Sequence, residues 1–410
     1  MSELTYLEKL LDGVKVEWQT LGKVLKRTKG TKITAGQMKA LHKDNAPLKI
    51  FAGGKTVAFV DFKDIPEKDI NREPSIIVKS RGIIEFEYYD KPFSHKNEMW
   101  SYHSNNDAIS IKYIYYFLKI NEGYFQKIGG KMQMPQIATP DTDKFEVSIP
   151  CPDNPEKSLA IQSEIVRILD KFSELTAELT AELNMRKKQY NYYRDQLLRF
   201  KEGEVEWKTL GEIGDFTYGY AAKAMDSGDA RFVRITDINK DGKLSKENPM
   251  YVELNEENEK YTLDKNDLLM ARTGATFGKT MIFEEDYPAV YAGFLIKLNL
   301  NKTIINAKYY WHFAQSDFFW EQANKLVSGG GQPQFNANAL KQVRVPIPYP
   351  SHPQKSLDEQ GRIVDILDKF DAIAASITEG LPREIELRQK QYEYYRDLLL
   401  SFPKPGTVSK

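Results

Sequence analysis

The chain has 410 residues with 58 basic and 58 acidic side chains, a formal net charge of zero, and a length that predicts two or three domains with cores of their own. A single cysteine, Cys151, excludes a disulfide scaffold and fits a reducing compartment. Residues 1–11 lack the continuous apolar core of a secretion signal and no later stretch is long and apolar enough to span a membrane, so the expectation is a soluble cytoplasmic protein.

The neutral total hides a local bias. Between Leu21 and Val60 stand nine basic residues (Lys23, Lys26, Arg27, Lys29, Lys32, Lys39, Lys43, Lys49, Lys55) against one acid, Asp44. Such a run is either a solvated face or a footprint for phosphates.

In chain order, short apolar runs bounded by Gly, Pro and Asn come first. Residues 75–78 (SIIV) and 83–86 (IIEF) have the length and branched content of strands, and 111–120 (IKYIYYFLKI) carries apolar residues at helical spacing. A proline-punctuated hinge follows at 149–158 (IPCPDNPEKS), with Ser158 placed to cap the next helix. That helix carries a seam of Ile161, Ile165, Ile168, Phe172, Leu175 and Leu179, stepping by four and three as a heptad does.

The second half follows the same plan. Strands are expected at 232–235, 267–270 and 294–298, a helical stretch at 307–326, and a hinge at 345–356 (VPIPYPSHPQKS) with Ser356 in the capping place. The next seam is Ile363, Ile366, Phe370, Ile373 and Ile377, and the two seams are expected to pack on each other. Gly380-Leu381-Pro382 should break this helix, with Pro382 opening a new one. Strands and helices alternate irregularly, so each half predicts a mixed α/β or α+β module.

The halves are one unit written twice. Residues 149–172 and 347–370 are identical at 15 of 24 positions, both ending in LDKF. VEWQTLG at 16–22 returns as VEWKTLG at 205–211, and QYNYYRDQLLRF at 189–200 returns as QYEYYRDLLLSF at 391–402. A period of about 190 to 200 residues is too long for a solenoid and fits two copies of a domain-plus-helix unit. Between LDKF and the QY-x-YYRD box, which starts at Gln189 and at Gln391, lie 16 residues in the first copy, including a direct repeat of TAEL at 176–183, and 20 in the second. What lies between these frames has diverged.

Signatures of catalysis are incomplete. GATFGKT at 274–280 resembles a phosphate-binding loop, but that loop needs a glycine where Thr273 stands. Asn248-Pro249-Met250-Tyr251 resembles an amino-methyltransferase motif with Met in place of its second proline, and no glycine-rich cofactor motif accompanies it. The five histidines and one cysteine show no ligand spacing.

The duplicated layout, the LDKF helices, the TAEL repeat and the RKKQYNYYRDQLL and RQKQYEYYRDLLL boxes resemble the specificity subunit of a type I restriction-modification system, most of all its IC class. The likeness is specific over roughly residues 1–22, 147–214 and 346–410. It implies two globular target-recognition domains held apart by two long antiparallel coiled-coil helices with a pseudo-twofold repeat: 1–157 and 201–356 as the domains, 158–200 and 357–402 as the helices, 403–410 as a tail. It further implies a bipartite, asymmetric duplex DNA target and a spacer length associated with the TAEL repeats. The implied partners are two methyltransferase subunits and restriction subunits in a bacterial or archaeal cytoplasm. S-adenosylmethionine, ATP and magnesium would then belong to those partners, with no cofactor in this chain.

Sequence readout needs Arg, Lys, Asn and Gln at base edges, with hydroxyls and main-chain amides on phosphates. In the second half Arg272, Thr273, Thr276 and Lys279 flank glycines, and Gln332, Gln334 and Asn336 follow a triple glycine. The matching positions of the first half are Lys79, Ser80 and Arg81, and Lys131 and Gln133 after a double glycine. The basic run from Lys23 to Lys55 is the next candidate, as phosphate contacts. Tyr190, Tyr193 and Leu197, with Tyr392, Tyr395 and Leu399, form aromatic-aliphatic stripes suited to docking a partner helix or the chain's own. The rival readings are a scaffold whose modules bind only protein, and a nucleotide-dependent enzyme using the 274–280 loop.

Overall fold

A computed structural model describes residues 10–11, 13–130, 133–201, 203–375 and 380–402. They fall into two units. The first takes in the chain to Ala177 together with the segment from Leu387 onward, and the second runs from Glu178 to Glu386.

In the first unit, β1 (Val16–Thr20) pairs antiparallel with β9 (Glu146–Pro150), Trp18 opposite Ser148, which closes the two ends of the divergent segment on each other. Inside that clasp β2 (Lys26–Lys29), β5 (Ser75–Lys79), β6 (Glu85–Tyr89) and β8 (Trp100–His103) form an antiparallel sheet in the order β2-β8-β5-β6. A second sheet joins β3 (Leu48–Phe51), β4 (Val57–Val60) and β7 (Phe93–His95) in the order β4-β3-β7, with β3 and β7 parallel. Strand β5 is buried along its whole length, which is why its sequence reads as a continuous apolar run instead of an alternating one. The helix Ile111–Ile120 opens at Ser110, whose side chain accepts from the Tyr113 amide, and buries Tyr113, Ile114, Tyr116, Phe117 and Leu118.

The second unit repeats this wiring strand for strand. β10 (Val205–Thr209) pairs with β18 (Arg344–Pro348), Trp207 opposite Pro346. β11 (Gly214–Tyr218), β14 (Leu268–Ala271), β15 (Thr280–Ile282) and β17 (Leu295–Leu300) lie in the order β11-β17-β14-β15. β12 (Ala230–Val233), β13 (Tyr251–Val252) and β16 (Ala289–Tyr291) lie in the order β13-β12-β16, again with one parallel pair, β12 and β16. The helical stretch expected at 307–326 is two helices, Ala307–Phe313 and Asp317–Leu326. Ser316 interrupts it because its side chain accepts from the Phe319 amide and so starts a new helix.

The hinges match in detail. Cys151 (φ 50°) and Tyr349 (φ 48°) both take a left-handed conformation unusual for residues with a Cβ. Helices then start at Pro155 and Pro353, where a missing N–H costs nothing. The expected caps are therefore misplaced by one turn. Asn154 caps the first helix, its Oδ1 accepting from the Lys157 amide, and Ser158 and Ser356 lie buried inside their helices.

The first helix runs unbroken from Pro155 to Leu197, whereas in the second copy the described helices are Pro353–Ala375 and Leu381–Leu399, and Gly380 is a bend directly before the second, where Gly380 and Pro382 predict a break. The seams differ from expectation. Ile161, Ile165 and Leu169 are buried in the core of the first unit, and Ile363, Val364 and Leu367 in that of the second, so these faces are mostly taken up by the α/β bodies. Ile168 and Ile366 are only partly buried, and Ile377 lies outside the described residues.

Candidate nucleic-acid interface

The two loops singled out in each half are pinned together. In the second unit the Arg272 carbonyl accepts from the Phe335 amide at 2.8 Å, Thr273 and Gln334 form an antiparallel bridge, and the Gly274 amide donates to the Pro333 carbonyl at 3.0 Å. In the first unit the Ser80 carbonyl accepts from Ile137 at 3.0 Å, Arg81 bridges Gln136, and the Gly82 amide donates to Pro135 at 2.9 Å. Gly274 (φ +68°) and Gly82 (φ +78°) both turn the chain through the left-handed region at the same step, which is what glycine allows there. Sequences that no longer align thus build the same loop pair.

The pinning also decides which side chains face solvent. Arg81, Gln133, Gln332 and Asn336 are exposed, and Arg272, Thr276, Lys279 and Gln334 are half-buried. Asn336 additionally accepts from the Ala339 amide, capping a short turn. Three candidates need correction. Lys79 lies between Glu85 at 2.6 Å and Glu87 at 2.9 Å with its side chain 7% exposed; burial opposes its charge, yet those two hydrogen bonds raise its pKa above the ordinary lysine value. Ser80 is buried and donates its hydroxyl to the Glu98 carbonyl at 2.6 Å, and Thr273 is buried at the loop bridge. All three hold the loops and do not reach outward. Lys131 lies outside the described residues.

The 274–280 segment forms one short turn, Gly274–Thr276, and then enters β15. A phosphate-binding loop instead leads into a helix whose N-terminus faces the phosphates, and that element is missing here. Among the described residues no group of three or more His, Cys, Asp or Glu side chains could hold a metal ion, and no helix is long and apolar enough to cross a membrane.

Sequence reasoning missed the surroundings of Arg272. Its guanidinium lies 5.2 Å from the ring of Tyr218 and 5.4 Å from that of Phe294, and Nε donates to the Gly293 carbonyl at 3.1 Å. Phe294 is 56% exposed, a large apolar ring left facing water. Tyr218 is fixed in turn, its hydroxyl accepting from the Ala337 amide. Nothing in the sequence signals this clamp, because Tyr218 stands 54 residues before Arg272 and Gly293 and Phe294 stand 21 and 22 residues after it, beyond two intervening strands.

The type I restriction modification DNA specificity domain matches the chain twice, over residues 15–186 and 202–387. The type I restriction enzyme EcoR124I/EcoR124II specificity subunit of Escherichia coli is 41% identical over 428 aligned positions covering all of both chains. This chain belongs to the type I restriction-modification specificity subunits. The EcoprrI specificity subunit of the same organism is 34% identical, covering 92% of this chain and 93% of its own. In fold, the chain resembles the type I S subunit from M. genitalium, with a TM-score of 0.61 at 16% identity over 96% of this chain and 98% of the other.

The constant segments of this specificity subunit have a clear physical role. Gln162 in the first unit accepts from the Ser110 amide and donates to the Ala108 carbonyl and the Ser158 hydroxyl; Gln360 in the second accepts from the Asn306 amide and donates to the Ile304 carbonyl and the Ser356 hydroxyl. Both glutamines are fully buried. The aspartate of each LDKF motif holds the same helix. Asp170 takes Lys112 at 2.7 Å and the Tyr116 hydroxyl at 2.5 Å, and Asp368 takes Lys308 at 2.8 Å and His312 Nε2 at 2.9 Å. Burial works against the Asp368 charge, but His312 and Lys308 outweigh it and bring its pKa to about 2.

The YYRD boxes close the cores. Leu198 and Tyr190 are buried in the second unit, where the Tyr190 hydroxyl lies 2.8 Å from His312 Nδ1, and Leu399 and Phe402 are buried in the first. As candidate docking residues Tyr190 and Leu399 are therefore corrected: they face their own cores, and Leu197 and Tyr392 are partly buried against the same cores. Tyr193 and Tyr395 stay about 40% exposed. Tyr193 stacks on Phe370 at 5.2 Å and Tyr395 on Phe172 at 5.3 Å, each with a more exposed ring, Tyr192 or Tyr394, edge-on beside it.

Proposed function

We propose that each unit reads one half of a split, asymmetric duplex DNA target and that the chain is a non-catalytic subunit that places methyltransferase and restriction subunits on it. The observation that carries this reading is the pinned loop pair, present once on each of two identically wired bodies whose sequences differ. One scaffold with two sets of exposed side chains suits two different base sequences. Arg81 and Gln133 in the first unit and Arg272, Lys279, Gln332 and Gln334 in the second supply the base-reading chemistry. Exposed Lys23, Lys26 and Arg27 line a cleft of about 700 Å³ in the first unit and supply phosphate contacts that position it.

Two methyltransferase subunits dock on the two aromatic ladders, Tyr192-Tyr193-Phe370 and Tyr394-Tyr395-Phe172, whose matching geometry offers the same surface twice. S-adenosylmethionine for adenine methylation, and ATP and magnesium for the restriction subunits, belong to those partners in the cytoplasm. Each TAEL tetrapeptide adds about 6 Å of helix, so the number of repeats sets the gap between half-sites.

The test is to co-express the chain with a class-matched methyltransferase subunit and map methylated adenines across the host genome by single-molecule sequencing. A single split motif with a fixed gap is expected. A stable copurified complex that adds no methylation would refute DNA reading and leave only docking.

A further inference from the structure

We infer that Arg272 is a preorganised guanine reader, so that the half-site read by the second unit contains a guanine recognised through its O6 and N7 in the major groove, with Phe294 as the positioning residue. The inference rests on the reading that these units bind DNA, and it concerns one side chain and one base.

Four observations converge on Arg272. The guanidinium lies over two aromatic rings, 5.2 Å from the centroid of Tyr218 and 5.4 Å from that of Phe294, and cation–π attraction to both holds it in place. The Nε hydrogen is taken by the Gly293 carbonyl, which fixes rotation about the last bonds of the side chain and leaves both Nη groups as the free edge. No carboxylate pairs with the group among the described residues, so its charge is uncompensated by the protein. Its main chain is tied to the second loop through Phe335, and the next two residues through Gln334 and Pro333, so the side chain stands on a rigid base.

This geometry favours a base over a phosphate. A phosphate accepts hydrogen bonds from many directions, and a mobile lysine serves it well. A base edge demands two coplanar donors at fixed spacing, which is what a guanidinium held by two rings and its Nε presents; guanine O6 and N7 are the acceptors that match two donors. Among the described residues the first unit shows no arginine held in this way by two rings and a carbonyl. The position matched by main-chain bonding is Ser80, whose hydroxyl is buried on the Glu98 carbonyl. This contact therefore has no counterpart at the matching position of the first unit.

The experiment uses the full complex of this chain with methyltransferase subunits. Its methylated motif is mapped for wild type, Arg272→Ala, Phe294→Ala and Phe294→Tyr, and binding is measured on duplexes carrying 7-deazaguanine at each guanine of the motif in turn. Arg272→Ala is expected to relax one guanine in one half-site and leave the other half-site intact. Phe294→Ala is expected to weaken discrimination at that same base pair, and Phe294→Tyr to restore it. In the wild-type complex, removing N7 from that guanine should cost roughly ten- to a hundredfold in binding, and in Arg272→Ala nothing further. A loss in Arg272→Ala that is uniform across all motif positions, with an unchanged motif, would identify a phosphate contact and overturn the inference while leaving DNA reading in place. Wild-type binding insensitive to 7-deazaguanine everywhere would overturn it without recourse to any variant. A wild-type complex that methylates no split motif would remove the underlying reading and the inference with it.

Discussion

Asp170 in the first unit and Asp368 in the second occupy the same place and hold the same helix, yet Asp170 receives the hydroxyl of Tyr116 where Asp368 receives the imidazole of His312. The lysine partner one turn earlier is kept in both, Lys112 and Lys308. The loop pair shows the opposite balance: its main-chain bonds are the same in both units, and its side chains share almost nothing. Side chains that must meet across two helices in a half-buried place tolerate few substitutes, since a polar atom left there without its partner costs up to about 1–3 kcal/mol. Side chains on a loop held by main-chain bonds carry no such constraint. The frame therefore repeats, and the surface proposed to read DNA diverges.

A second lesson concerns which parts of the sequence build each unit. The first unit combines the LDKF helix of the first copy with the YYRD box of the second, and the second unit does the converse. The sharpest way to break the comparison is to cut those closures. Leu198→Ala and Leu399→Ala each remove a buried side chain and should cost about 2–5 kcal/mol. Hydrogen exchange should show Leu399→Ala opening the first unit and Leu198→Ala the second. The reverse pattern would contradict the crossed assembly.

Next in size, Gln162→Leu and Gln360→Leu leave an amide and a carbonyl unpaired in a buried place, for about 2–4 kcal/mol each. Denaturant titration of the two variants should give the same loss within about 1 kcal/mol, and a wide difference would mean that the two clamps are not equivalent.

His312 sharpens the comparison through pH. Burial holds its imidazole below the ordinary value of 6.5, although Asp368 beside it pulls the other way. Asp371 and Lys243 act on the same group from neighbouring elements, and the Tyr190 hydroxyl contacts its other nitrogen. The unfolded chain takes up a proton near 6.5 that the folded unit refuses, so this contribution to stability is complete above that pH and falls as the pH drops towards the depressed value. Between about pH 7.5 and pH 5.5 the box at 189–200 should lose exchange protection more than the box at 391–402, where Tyr116 stands in the matching place. His312→Gln should remove the difference; equal behaviour of both boxes in the wild type would refute the assignment.

The smallest effect is expected at the stacked rings. Phe172→Ala and Phe370→Ala remove partly buried partners of Tyr395 and Tyr193 and should cost about 1–2 kcal/mol in the free chain. Affinity for the methyltransferase subunit should fall at one of two sites in each variant, measurable as a change in stoichiometry at limiting concentration.

Much of this was legible beforehand, because the repeat exposes itself in Pro, LDKF and YYRD, because β5 stands out as a continuous apolar run, and because the helix Ile111–Ile120 carries apolar residues at helical spacing. The loop pairs were legible as glycine-rich segments but not as partners, since Gly82 and Pro135 are joined only by tertiary hydrogen bonding. Lys79 looked like a DNA contact because a basic residue at a strand end gives no sign of the glutamates, Glu85 and Glu87, that the neighbouring strand brings to it. Tyr190 and Leu399 looked like docking residues because an apolar stripe on a charged helix is the same whether its partner is another chain or its own. Gln162 and Gln360 were visible as identities between the copies, and only the fold shows what they hold.

The most direct test of the central claim, that each body reads its own half-site on a common frame, is a hybrid in which residues 23–145 are replaced by a second copy of residues 212–343. Its methylated motif, mapped in complex with methyltransferase subunits, should contain the base sequence of the second unit's half-site twice, and the half-site of the first unit should vanish. A hybrid complex that folds, methylates and still requires the first unit's original half-site would contradict the account.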